Sequence, residues 1–108
     1  MSAGGLSDRA GSLVRQLITA EEMAELKAMG CIADIMCTFI DANGRPVTHP
    51  LNERVMSVGL ERLSAARHKL LAGGGAERAG AILAVIRSIG CNTLITDENA
   101  ARALLSMA

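Results

Sequence analysis

Two places in the sequence carry residue types that could do chemistry. The first is Lys69 to Arg87, which reads K-L-L-A-G-G-G-A-E-R-A-G-A-I-L-A-V-I-R. Glycines at 73, 74 and 75 let the backbone take positive φ and approach a bound group closely, and the first N–H groups of a following helix carry partial positive charge. Arg78, in the first turn of that helix, adds a planar charged fork matched to phosphate or carboxylate. Gly74, Gly75 and Arg78 are thus candidate ligand-binding residues for an anionic group. The competing reading is a plain strand-to-helix turn with Arg78 in solvent. The second place is Asp34, a lone carboxylate in C-I-A-D-I-M-C-T-F-I, residues 31–40. Left unpaired and dry there, it would cost on the order of several kcal/mol. Either it sits in water at a strand entrance or caps a turn, or it serves a ligand.

These residues need elements to hold them. Leu70 to Ala72 reads as a short strand, and Ala79, Ile82, Leu83 and Ile86 recur on one face of a helix that ends at Ile89-Gly90. Asn92 to Ile95 reads as another strand, with Thr96 or Asp97 capping a last helix whose inner face is Ala100, Ala103, Leu104 and Met107. Two strand-then-helix units in succession predict parallel strands joined by right-handed crossovers. In open sheets of this kind ligands sit at the carboxyl ends of the strands, where both turns lie. The fold class predicted is α/β, a partial open sheet of mainly parallel strands with flanking helices.

Upstream, Met1 to Ser12 reads as a loop without an apolar strand to anchor it, followed by the apolar cluster Leu13, Val14, Leu17 and Ile18. Thr19 and Glu22 fit a capping box for a helix from about Ala20 to Met29, with Met23 and Leu26 inward and Gly30 as the stop. Residues 31–40 read as one strand covered on both faces, and Asp41 to Arg45 as a turn serving a hairpin or an edge excursion. His49 is expected in solvent, Arg54 to Val58 as a short strand ending at Gly59, Leu60 to Ala66 as helical turns, and His68 and Lys69 in solvent.

The chain has 108 residues, half of them apolar, and Phe39 is its one aromatic residue. The core must be packed from aliphatic residues and six methionines, a layer that expects neighbours. Eleven basic residues balance eleven acidic ones without a cationic stripe, so nucleic acid is not an expected partner of this segment. Asp8, Arg9 and Arg15 interrupt any signal-peptide core, and no apolar run could span a bilayer, which points to the cytoplasm. Cys31, Cys37 and Cys91 lack metal-ligand spacing and read as reduced, mostly buried thiols, with no metal and no cofactor expected.

The order of motifs resembles the C-terminal sugar-binding domain of SorC-type bacterial transcriptional regulators. The resemblance is carried by Leu26 to Gly30, Cys31 to Ile35, F-I-D-A-N-G-R-P-V at 39–47, L-N-E-R-V at 51–55, Ala72 to Ile82 and L-I-T-D-E at 94–98. It implies a fold similar to sugar-phosphate isomerases and CoA-transferases, turned into a sensor of a sugar or phosphorylated sugar. Asp34 falls on the family's acidic position that contacts sugar hydroxyls. Arg78 falls where relatives commonly carry a lysine, a departure that keeps the charge in a bulkier group. The resemblance further implies a homo-oligomer, usually a tetramer, and DNA bound through a helix-turn-helix. Neither that element nor the first half of the sensor domain is found within residues 1–108, which read as the C-terminal portion of an effector domain. The alternative is a small sugar-phosphate isomerase-like enzyme on the same fold, with Asp34, Asp97, Glu98, His49 and Lys69 as its acid-base candidates.

Overall fold

The computed structural model describes residues 1–6, 16 and 18–107. Of the expected apolar cluster at 13–18, Leu13, Val14 and Leu17 lie outside the described residues, and Ile18 packs with Met23 on a core beneath helix α1. That helix, Ala20–Ala28, starts as the sequence predicts. Thr19 Oγ1 accepts from Glu22 N–H at 3.1 Å and Glu22 Oε1 accepts from Thr19 N–H at 3.0 Å, which satisfies two donors that a helix start leaves free.

The expected single strand over 31–40 is instead a tight hairpin. Strand β2, Cys31–Ile35, pairs antiparallel with β3, Thr38–Asp41, through a two-residue turn at Met36 and Cys37 with φ of 47° and 69°. Both turn residues are left-handed, the backbone of a primed hairpin turn whose twist suits the flanking strands. Ile32 is the extra residue of a bulge between Cys31 and Ala33, and it sends the two to opposite faces despite their spacing. Ala33 and Ile35 enter the core under the long helix, and Cys31 enters the core under α1. Beyond β3 the chain turns at 41–45 as expected and returns to bridge Ile40 with Pro46.

The N-terminal segment also departs from the loop expected of it. Gly4–Gly5 forms β1, antiparallel to β2, with Gly4 opposite Asp34. On its other side the Met1 nitrogen donates to Leu70 O at 3.1 Å, and Met1 O accepts from Ala72 N–H at 3.0 Å. This is the bonding of a parallel pair, so residues 1–5 join β2 to β4, Leu70–Ala72. β4 in turn pairs parallel with β5, Thr93–Ile95, as the two strand-helix units predict. The expectation of mainly parallel strands is nevertheless corrected. β1, β2 and β3 form a three-stranded antiparallel sheet, and the whole is mixed α/β.

One face carries the larger core. Leu71, Ala33, Ile35, Ile40 and Ala3 pack against Ala81, Ile82, Ala84, Val85 and Ile89 of α4, Ala79–Ile89, and Ala100 of α5, Glu98–Met107. Helix α4 follows a 3-10 turn, Ala76–Arg78, and ends at Gly90 in the left-handed conformation (φ 68°). Its packing fixes Gly44, whose φ is 82° and where a Cβ would lie 2.7 Å from Ser88 Cα. On α5, Ala100 is buried and Ala103 and Leu104 half-buried as expected, but Met107 is 47 % exposed. On the opposite face, α1 and the short helix α2, Pro50–Glu53, cover only the β2 and β3 side. Arg54 to Val58 is not a strand, and Met56 in it is fully exposed. Helix α3, Leu60–Ala65, follows, and Lys69, expected in solvent, is half-buried with Nζ donating to Ser64 O at 2.9 Å.

Candidate functional site

Strand alternation sets Asp34 on the face opposite Ala33 and Ile35, beside Phe39, its cross-strand partner. The carboxylate is buried. Its Oδ2 accepts from Cys37 N–H at 3.2 Å and so pins the left-handed hairpin turn, where each non-glycine residue costs about 1–2 kcal/mol. Its Oδ1 is buried and accepts no hydrogen bond among the described residues. Burial raises this carboxyl above its ordinary value, with the Cys37 N–H pulling the other way. Only glycine fits opposite, because a Cβ on residue 4 would fall on Asp34 Oδ1.

The glycine turn follows β4. Gly73 extends the ladder, donating to Ile95 O at 3.0 Å, and faces Ile82 of α4. Gly74 faces the other way, where a Cβ would stand 2.5 Å from Asp97 Oδ2. Gly75, at φ 93°, donates its N–H to that same Oδ2 at 2.7 Å. Asp97 Oδ1 accepts from Ala100 N–H at 2.8 Å, so one carboxylate caps α5 and fastens the turn. The Ala100 and Gly75 bonds hold the Asp97 carboxyl below its ordinary range. Arg78 closes the 3-10 turn, its N–H bonded to Gly75 O at 3.0 Å and its side chain exposed.

The register aligns these pieces. Met1 stands level with Leu71, Leu71 with Leu94, and Gly4 with Asp34. Counting along the strands puts Asp97, Gly74, Gly4 and Asp34 in one row on one face, with adjacent strands about 4.8 Å apart. That face is open over β4 and β5, where Leu70 and Ile95 are 44 % and 56 % exposed. Of the four residues singled out from the sequence, Gly74, Gly75 and Arg78 share one turn, and Asp34 lies two strands away. A pocket of about 370 Å³, lined by Met36, Cys37, Phe39, Leu51, Arg54 and Met56 among others, opens beside the hairpin. Carboxylate acceptors beside bare glycine backbone suit a ligand rich in hydroxyls. No group of three or more His, Cys, Asp or Glu among the described residues could hold a metal ion.

Several positioning residues escape a reading of the sequence. Gly4 looks like a loop glycine until its pairing with Asp34 is known. His49, expected in solvent, is 8 % exposed. Its Nδ1 accepts from Leu51 N–H at 3.1 Å and caps α2, and Nε2 lies 2.8 Å from Glu25 Oε2 on α1. Asn52 completes the edge of β3: Oδ1 accepts from Phe39 N–H at 2.7 Å, and Nδ2 donates to Phe39 O and Val47 O. Cys31 is buried, its thiol pushed up to about 11 chiefly by desolvation, and Cys37 and Cys91 are half-buried free thiols.

Residues 1–106 match the family model Sugar-bind, described as a sugar-binding domain. The chain belongs to this family. The sugar-binding domain is 33 % identical over 86 residues to the deoxyribonucleoside regulator of Bacillus subtilis, covering 80 % of this chain and 27 % of that protein. It is 32 % identical over 102 residues to the erythritol catabolism regulatory protein EryD of Brucella abortus, covering 94 % and 32 %. Among solved structures, the full-length sorbitol operon regulator SorC of Klebsiella pneumoniae superposes with a TM-score of 0.87 at 28 % identity, over 96 % of this chain and 34 % of that one. A transcriptional regulator from Streptococcus pneumoniae also gives 0.87 at 27 % identity, over 98 % and 40 %. The domain thus spans about a third or less of the curated relatives it matches. No helix among its described residues is long and apolar enough to cross a membrane.

Proposed function

We propose that this domain is the C-terminal portion of the effector-binding unit of a bacterial transcriptional regulator and binds a sugar or phosphorylated sugar on its open sheet face. The observation that carries the reading is Asp34, a buried carboxylate with one oxygen unpartnered, aligned in one row with the glycine turn. A ligand hydroxyl donating to Asp34 supplies the partner that a buried acceptor ordinarily has. Gly74 and Gly75 bring the Asp97 carboxylate against the turn as an acceptor for ligand hydroxyls, and Arg78 supplies donors from the turn. The strained pair Met36 and Cys37 beside Asp34 supports a functional reading of this corner. The relatives are named as regulators, and the resemblance to SorC-type regulators implies for the whole protein that ligand binding is linked to DNA through a helix-turn-helix, in a cytoplasmic homo-oligomer. The likeness to sugar-phosphate isomerase and CoA-transferase folds belongs to this proposal, with binding rather than turnover as the outcome.

Calorimetric titration with sorbitol, erythritol, 2-deoxyribose and their phosphates tests it. Arg78→Ala is expected to weaken the best ligand by roughly ten- to a hundredfold through lost charge-assisted hydrogen bonds, and Arg78→Lys by less. Asp34→Asn is expected to change the order of preference among hydroxyl patterns. Equal affinities in wild type and both Arg78→Ala and Asp34→Asn overturn the site.

A further inference from the structure

We infer that Asp97 is a specificity-determining residue that closes the glycine turn to phosphate, so that the part of the ligand lying there is uncharged. The inference rests on the sugar-binding reading above and narrows it. A turn of three glycines before a helix is the setting in which backbone N–H groups gather around an anion. Here the anion is built in. Asp97 Oδ2 takes the Gly75 N–H at 2.7 Å, and Gly74 is bare where that oxygen rests. The other oxygen is committed to Ala100 N–H at 2.8 Å, so the carboxylate is held from two sides and is not free to swing out. A phosphate entering the turn would have to displace this bond and lie against a like charge. A hydroxyl meets no such charge and can donate to the carboxylate's remaining lone pairs. A phosphate on the ligand, where there is one, lies away from the turn.

The test follows the Gly75 amide in the 15N-labelled chain during titration with inorganic phosphate. Asp97→Ser removes the carboxylate and keeps a residue able to cap α5; Asp97→Asn, which retains one acceptor oxygen, serves where the serine variant does not fold. The expected result is no saturable shift of Gly75 in wild type up to the highest phosphate concentration used, and in the variant a saturable shift with a Kd at least about tenfold below that concentration. A mere capping role for Asp97 does not predict this gain. Phosphate binding at Gly75 in wild type as tight as in the variant overturns the inference. Binding by neither protein overturns it too, because the turn then has no anion affinity to block. A parallel titration with sorbitol keeps the two readings apart: no binding of any polyol, together with gained phosphate binding in the variant, sinks the sugar site and leaves the closed turn standing.

Discussion

Asp34 rests on Gly4: the carboxylate fills the space that any side chain at position 4 would need. The buried oxygen cannot move outward cheaply, since its partner oxygen is tied to the hairpin turn through Cys37 N–H. Gly4→Ala is therefore expected to lower stability by about 1–3 kcal/mol, as overpacking does, and to weaken ligand binding together with Asp34 variants. Thermal melts of the single and the double variant Gly4→Ala/Asp34→Ala check this. Loss of the larger residue should restore part of the stability, and strict additivity would show that the two do not meet.

Burial gives Asp34 a raised carboxyl in the folded chain, so between the ordinary carboxylate pKa and that raised value the folded state binds more protons than the unfolded. Its contribution to stability is largest below that interval and falls as pH rises through it. Asp34→Asn removes the titration. Melts from about pH 4 to pH 7, the range above an ordinary aspartate, are expected to show a flatter profile for Asp34→Asn and a gain over wild type at the upper end. Parallel profiles would count against it.

His49 joins two helices through its two ring nitrogens, which requires the neutral ring with its proton on Nε2, facing Glu25. His49→Ala removes a cap and a buried partner together, an expected loss of about 2–4 kcal/mol. His49→Asn can still cap α2 and should lose less. Denaturant unfolding of the pair decides the matter, and equal losses would assign the effect to packing alone.

Gly44 and Gly59 make a matched comparison. At Gly44 a Cβ would press on backbone, with Ala84 O 2.8 Å away, and φ is positive, so Gly44→Ala is expected to cost about 3 kcal/mol or more. At Gly59, the N-cap of α3, φ is −65° and nothing lies within 4 Å, so Gly59→Ala meets no clash and should cost only about 0.5–1 kcal/mol, the loss of a favoured cap. A single set of chemical melts compares them.

What the sequence disclosed was local. The Thr19 and Glu22 capping box, the Gly90 helix end and the parallel pairing of β4 with β5 all follow from short-range chemistry and all stand in the structure. The hairpin within 31–40 did not show, because its turn is Met36-Cys37 rather than the Asn-Gly or Asp-Gly that advertises positive φ. A hydrogen bond from Cys37 N–H to Asp34 holds what the turn residues alone would disfavour. His49 and Asn52 were hidden for another reason, since their partners lie 24 and 13 residues away along the chain. The row across the site depends on register between strands far apart in sequence, which no window of residues contains.

The strand at residues 1–5 carries a kinetic consequence. Its bonds to β4 join positions 69 apart, so they can form only after a loop of that length has closed, at an entropic cost of about 4 kcal/mol beyond the constant term. The β2–β3 hairpin and the β4–β5 unit can each form over shorter spans. Gly4 and Gly5 can likewise join β2 over a much shorter span, so the bonds between Met1 and β4 are the longest-range closure and the step that joins the two halves. Until those bonds form, the two halves of the sheet are separate ribbons with unpaired backbone, each able to accept a strand from another molecule in place of its own.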